Sequence, residues 1–166
     1  MAAKNNTGTT LVVQENNGTY RTASSDEIIV AARSAVNRRF RRGKAISSPA
    51  ESQDFLKLRL APLEHEVFAI LWLDNRHRFI QYDELFRGTI DGSSVHPREV
   101  VKSALQHNAA SCILAHNHPS GVSTASNADR AITRRLVDAL ALVDVRVLDH
   151  IIVAEDCLSF AQSGLL

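Results

Sequence analysis

The stretch Cys112-Ile113-Leu114-Ala115-His116-Asn117-His118-Pro119-Ser120-Gly121 decides the fold. Its four leading apolar residues, bounded by a polar loop with Pro and Gly, predict a short buried strand over 112–115. The loop runs over 116–125. Ser126 and Asp129 then stand at N-cap and third-position spacing, and Ile132, Leu136, Ala139 and Leu140 recur at helical spacing, which predicts a helix from 126 to about 143. A long strand is expected over 145–153, with 157–160 pairing back on it.

The rest of the chain extends this pattern. Val67-Phe68-Ala69-Ile70-Leu71-Trp72-Leu73 is apolar throughout and rich in β-formers, and it ends at the turn signal Asp74-Asn75. Residues 78–86 read as its antiparallel partner, followed by a loop punctuated by Gly88-Thr89 and Asp91-Gly92. Pro97 opens a helix with Val100, Val101, Ala104 and Leu105 on its apolar face, ending near Asn108. Ser48-Pro49-Ala50-Glu51 opens another, which runs to about Leu60. Ser24 and Glu27 match a capping box, Ile28, Ile29, Ala32, Val36 and Phe40 follow at helical spacing, and Gly43 is the expected stop. Residues 1–25, rich in Asn, Thr, Ser and Gly, read as a flexible polar arm. The expected layout is an arm over 1–25, a basic helix over 26–45 and a main domain over 46–166. The fold class is an α/β (α+β) sandwich.

Composition narrows the function. The chain has 166 residues with 45% hydrophobic and 22% charged, an ordinary globular mix that excludes a disordered chain. Its two cysteines, Cys112 and Cys157, exclude a disulfide scaffold and suit a reducing compartment. No apolar run approaches the roughly 20 residues that span a bilayer, and residues 1–10 lack the apolar core of a signal peptide, so a cytoplasmic protein with no membrane partner is expected. The net charge is +1, yet Arg33, Arg38, Arg39, Arg41, Arg42 and Lys44 fall in a stretch without acids, leaving −5 on the remainder. Such a cluster can contact nucleic acid weakly. The plainer reading is the solvated end of a helix, where the macrodipole favours cations.

The chemistry lies in the loop after the decisive strand. His116 and His118, two residues apart at a strand end, project from one face. Two adjacent imidazoles are ligands for a divalent metal, and Asp129, in the first turn of the following helix, can supply a carboxylate as the third. Three protein ligands leave a fourth tetrahedral position open, the mark of a catalytic site. The plain alternative is two loop histidines without a metal and a Ser126 that only caps its helix.

His116-x-His118, seven residues, Ser126, two residues, Asp129 resembles the motif of the JAMM (MPN+) metalloprotease domain. The wider text resembles the bacterial RadC family: Val95-His96-Pro97-Arg98-Glu99-Val100, Ala104-Leu105-x-x-Asn108-Ala109, Ala115 to Gly121, Asp149-His150-Ile151-Ile152-Val153 and the terminal Gly164-Leu165-Leu166. The resemblance covers roughly residues 51–166. It implies a cytidine-deaminase-like JAB/MPN architecture, with a mixed, mostly antiparallel central sheet flanked by helices. It further implies one Zn2+ on His116, His118 and Asp129, an upstream glutamate as general base, and Ser126 at the oxyanion of the intermediate. Glu66, immediately ahead of the 67–73 strand, occupies the glutamate's place; Glu64 and Glu99 are the alternatives, Glu99 beside Arg98 as an expected ion pair. Asp149 and His150 either orient a metal ligand from behind or form a satisfied buried pair.

The activity so implied is zinc-dependent hydrolysis of a peptide or isopeptide bond in an unidentified protein or peptide, with the loop over 87–96 shaping selectivity. The competing expectation is a DNA-repair-associated nucleic-acid-binding protein or metal-dependent nuclease, supported by the cluster at 33–44. Longer RadC proteins carry an N-terminal helix-hairpin-helix region. No matching pair of helices is read here, so the chain resembles the short forms. Asn117 and Ser120 are expected to shape the loop and Gly121 to supply its turn. His96 is a candidate cap for the helix at Pro97, while His65, His77 and His107 read as surface residues.

Overall fold

A computed structural model describes residues 10–88 and 95–166. Two compact units are present, 1–38 and 39–166. The larger is built on a sheet of five strands: β3 (Val67–Leu73), β4 (Phe79–Arg87), β5 (Ser111–Asn117), β6 (Arg146–Val153) and β7 (Cys157–Ser159), in the order β4-β3-β5-β6-β7. Every neighbouring pair is antiparallel except β5 and β6. The parallel pair requires a crossover, and helix α4 (Asn127–Ala141) provides it. The expected mixed, mostly antiparallel α+β architecture is what forms.

Helices cover both faces, which is why every residue of β3 and β5 is buried and β3 is an uninterrupted apolar run rather than an alternating strand. Helix α2 (Pro49–Leu60) packs against β5 and β6 and buries Phe55, Leu56 and Leu60. On the opposite face, Phe68, Ile70 and Trp72 of β3 and Cys112 and Leu114 of β5 form one core. It is completed by Val100 and Ala104 of α3 (Pro97–Gln106) and Ile132, Leu136 and Leu140 of α4. Ser48 caps α2 as expected, its hydroxyl accepting from Glu51 N at 3.3 Å. Both cysteines are free, Cys112 buried and Cys157 half-buried. Among the described residues no helix is long and apolar enough to cross a membrane.

Two expectations about the N-terminal segment are corrected. Within the supposed arm, β1 (Val12–Gln14) and β2 (Tyr20–Thr22) form an antiparallel hairpin. Its turn is closed by Glu15 N to Thr19 O at 2.8 Å, with Gly18 at φ +83°. Residues 1–9 lie outside the described residues. Helix α1 (Ser25–Arg39) starts at the predicted capping box but stops short of Gly43, so Arg41, Arg42 and Lys44 follow it in a turn rather than a helix. The physical reason lies in the larger unit. Phe40 is buried against Phe55, ring centroids 4.2 Å apart, and the turn beyond it lies beside the start of β4. There Gly43 N bonds Phe79 O and Phe79 N bonds Lys44 O, both at 2.8 Å.

A polar staple holds α3 to the sheet. One oxygen of Asp83, on β4, accepts from Trp72 Nε1 at 3.0 Å and Ser103 Oγ at 2.8 Å and lies 2.7 Å from His107 Nε2. His107 is thus not an idle surface residue. Burial opposes ionisation of Asp83, but these partners outweigh it and hold its carboxyl below the usual range. Replacing Asp83 by Ala strands the N–H of the fully buried Trp72 and is expected to cost about 1–3 kcal/mol. Urea unfolding at neutral pH measures this. A depressed carboxyl stabilises above its unfolded value, about 3.9, and loses that contribution as pH falls through the folded value. The variant therefore lacks that part of the acid-side decline, and equal stability at pH 7 would contradict the staple.

Candidate metal centre

The sheet register brings the candidate residues to one place. His116, the penultimate residue of β5, pairs with Phe68 of β3 on one side and Ile152 of β6 on the other. The predicted strand stopped at 115; it continues through His116 and Asn117 because both are buried and hydrogen-bonded. His118 follows one step beyond the strand, and Gly121, at φ +78°, donates to His118 O at 3.0 Å to close the turn. Helix α4 then begins beside the strand end. Ser126 is its N-cap and Asp129 its third residue, in a complete capping box. Asp129 Oδ2 accepts from Ser126 N and from Ser126 Oγ, each at 2.7 Å.

Three ligand atoms converge. His116 Nε2 lies 2.9 Å from His118 Nε2 and 3.2 Å from Asp129 Oδ1. His118 Nε2 is 3.8 Å from Asp129 Oδ2. One nitrogen or oxygen from each residue falls within 4.8 Å of the others, and this is the group able to hold a metal among the described residues. His116 and Asp129 are buried, while the His118 side chain keeps 13% of its surface exposed.

Hydrogen bonds behind the site decide where the protons are. Thr133 Oγ1 donates to Asp129 O at 2.5 Å, a carbonyl that can only accept. The threonine oxygen must therefore accept from His150 Nδ1, 2.6 Å away. Burial, followed by the neighbouring His116, holds the His150 pKa well below its usual value, so the ring is neutral and its Nε2 is an acceptor. It accepts the proton of His116 Nδ1 at 2.9 Å, so a neutral His116 presents a bare lone pair at Nε2. His118 Nδ1 faces Val122 O at 2.7 Å and must donate to it, so a neutral His118 also presents a bare Nε2.

Neutral rings thus leave three acceptor atoms facing one another, and Asp129 Oδ1 is buried without a hydrogen bond although His116 Nε2 is close. A positive charge must sit among them, either a proton on one ring or a divalent cation. Burial opposes ionisation of Asp129, but His116 and then Ser126 outweigh it and hold its carboxyl well below the usual range. The orphaned oxygen and the two nitrogen donors fit a metal of the borderline class that binds imidazole and carboxylate together.

The other candidates fall as follows. Glu66, half-buried, sits at the start of β3 and is not one of the three converging ligands; its carbonyl accepts from Gly88 N at 3.0 Å. Glu64 is exposed, and Glu99 is an exposed α3 residue 3.8 Å from Lys102 rather than paired with Arg98. Asp149 is buried, accepting from Ser159 Oγ at 2.6 Å, Ala161 N at 2.9 Å and its neighbour His150 N at 2.7 Å, and so anchors the strand that carries His150. His96 occupies the N-cap of α3 without a side-chain capping bond. Arg33, Arg38, Arg41, Arg42 and Lys44 are exposed, and residues 89–94 of the loop expected to shape selectivity lie outside the described residues. Sequence reading missed Thr133, a helical threonine whose only outward mark is its place four residues after Asp129.

Thr133→Val keeps the shape of the side chain and removes the hydroxyl that fixes the His150 ring. His150 can then turn a proton toward His116 Nδ1 and push the His116 proton onto Nε2. Affinity for Zn2+ and Co2+, measured by chelator competition, is expected to fall about 10- to 100-fold. Unchanged affinity would show that the buried chain does not govern the ligand.

Known proteins resemble the chain over most of its length. The sequence profile of the RadC-like JAB domain matches residues 46–165. A UPF0758 protein of Thioalkalivibrio sulfidiphilus is 56% identical over 149 residues, covering 90% of this chain and 67% of the relative. A UPF0758 protein of Nitrosococcus oceani is 61% identical over 127 residues, with 76% of this chain and 57% of the relative covered. One from Vibrio cholerae is 53% identical over 141 residues, covering 85% of this chain and 90% of the relative. The chain thus spans between about half and two thirds of the longer relatives and nearly all of the shorter one. With a profile match across most of its length and relatives above half identity, the chain belongs to the RadC-like JAB domain family.

Proposed function

We propose that this chain is a zinc-dependent hydrolase that cleaves a peptide or isopeptide bond. The observation that carries the reading is the convergence of His116 Nε2, His118 Nε2 and Asp129 Oδ1, anchored from behind and open on the His118 side. A zinc ion held there would leave one position for water and lower that water's pKa from about 16 to about 7.

Glu66 supplies the base in this reading. It stands two residues ahead of Phe68, the partner of His116 across the sheet, and strand alternation continued to Glu66 gives the face that His116 uses. Its carboxylate takes a proton from the attacking water and passes it to the leaving nitrogen. Ser126 holds Asp129 in place. Its oxyanion role requires the hydroxyl to turn from Asp129 Oδ2 to the substrate carbonyl, and the exposed position of Ser126 leaves room for that turn.

The substrate has a place to lie. A groove of about 630 Å³ opens beside His118, lined by Pro62, Leu63, Glu64, Val153 and Glu155 among others. Its one lysine, Lys57, spends its ammonium on Glu155 O at 2.8 Å. Apolar walls with exposed acids suit a peptide chain and repel a phosphate backbone. The competing nucleic-acid reading rests on the exposed basic residues at 33–44, a cluster that the end of α1 divides between helix and turn.

Metal analysis of the purified chain beside His116→Ala and Glu66→Gln tests the proposal, together with cleavage of a panel of peptides and ubiquitin-like conjugates. His116→Ala is expected to lose the ion. Glu66→Gln is expected to keep it and to lose at least about 100-fold in cleavage rate. Metal-dependent cleavage that survives Glu66→Gln would remove Glu66 as the base, and no stoichiometric ion in the parent would remove the metal mechanism.

A further inference from the structure

Asn117 stands between the two histidine ligands, yet its side chain serves a different strand. It is 2% exposed. Its Oδ1 accepts from Val67 N at 2.8 Å, and its Nδ2 donates to His65 O at 3.0 Å and to Leu63 O at 3.3 Å. The backbone ladder between β3 and β5 ends at the Phe68–His116 pair. Beyond it, the Asn117 carboxamide takes over the rungs. Three of the four hydrogen bonds that an amide can make fall on the single stretch 63–67.

Glu66 lies inside that stretch, between a bonded carbonyl and a bonded amide. Nothing but a carboxamide of this length satisfies both signs at once. Aspartate offers the acceptor for Val67 N but sets an oxygen against two carbonyls, leucine offers neither, and glutamine is one methylene too long. A single peptide unit on each side joins Asn117 to His116 and His118. The same residue therefore touches the backbone that carries the ligands and the backbone that carries Glu66.

We infer that Asn117 is a positioning residue that sets the placement of Glu66 relative to the His116–His118–Asp129 centre. The inference rests on the reading of Glu66 as the base. It does not require Asn117 to hold the ligands, which have anchors of their own in His150, Val122 O and Ser126.

Cobalt substitution of the full chain tests it without a substrate. The measured quantity is the pH midpoint at which the visible spectrum of the bound cobalt changes. A nearby carboxylate opposes loss of a proton at the centre, so Glu66→Gln is expected to lower the midpoint by about one pH unit. Asn117→Leu and Asn117→Gln, both uncharged, are each expected to lower it by at least half as much, with cobalt affinity held within about threefold, well inside the loss typical of ligand-supporting residues. In the Glu66→Gln background, neither Asn117 substitution should move the midpoint further.

The inference is overturned if Glu66→Gln shifts the midpoint and both Asn117 variants leave it in place. It is also overturned if they shift it equally with and without Glu66, or if both lose cobalt, since Asn117 would then be supporting the centre itself. A silent Glu66→Gln removes the base assignment, and the positioning role falls with it. The Gln variant retains both an acceptor and a donor, displaced by one methylene, and keeps the test usable should the Leu variant fail to fold.

Discussion

Two imidazole nitrogens 2.9 Å apart, each with its partner nitrogen already committed as a donor, cannot face each other as bare lone pairs at no cost. A buried carboxylate oxygen 3.2 Å from one of them adds to the charge imbalance. Water cannot relieve it on the core side, because His116 and Asp129 are both buried. The amino-terminal dipole of α4 and the Ser126 capping bonds offset part of the cost of the Asp129 charge. The remainder calls for a positive charge, a proton on one ring or a bound cation. Binding of an ion to such a site is at the same time stabilisation of the fold that builds it.

The architecture meets this constraint with rigid elements rather than loops. The crossover from β5 through α4 to β6 sets the start of a helix beside the end of the strand it follows, so the histidines and the aspartate meet without a long connection. β3, antiparallel to β5, brings its own start to the same level. β6 contributes His150 from the far side, with Phe160 packed against that ring at 4.8 Å and Phe68 stacked parallel to the His116 ring. The orientation of His116 is thereby decided by core packing, which tolerates little displacement.

Much of this was legible in the residues, for identifiable reasons. The 67–73 strand announced itself because both of its faces are covered, and a doubly covered strand has no polar alternation to blur it. The Ser126–Asp129 capping box is a local spacing, and local spacings survive folding intact. The link from Thr133 through His150 to His116 was not legible in full: its members lie on three elements, and Thr133 also bonds the carbonyl four residues back, as helical threonines commonly do. Asn117 was read as a loop residue because Pro119, Ser120 and Gly121 follow it, whereas its role depends on a strand start fifty positions earlier. The hairpin at 12–22 was hidden by polar composition, though Asn17-Gly18 is a turn signal. The helix before Phe40 ended early because burying that ring and pairing the following residues with β4 outweighed the helical pattern of the basic segment.

The site is also one-sided, and that has a mechanistic consequence. His116 is anchored by a ring at the centre of the core, while His118 is anchored by the carbonyl of exposed Val122 and borders the groove. The dry side holds charge and tautomer fixed, and the low local dielectric there strengthens each hydrogen bond in the chain from Asp129 O to His116. In the proposed reaction the wet side is the one that would admit both water and a substrate. An acid–base group useful to such a centre has to stand at the rim, near the groove yet tied to the sheet. Residue 66 meets that description: it is half-buried, one step ahead of β3 and inside the segment that the Asn117 carboxamide holds.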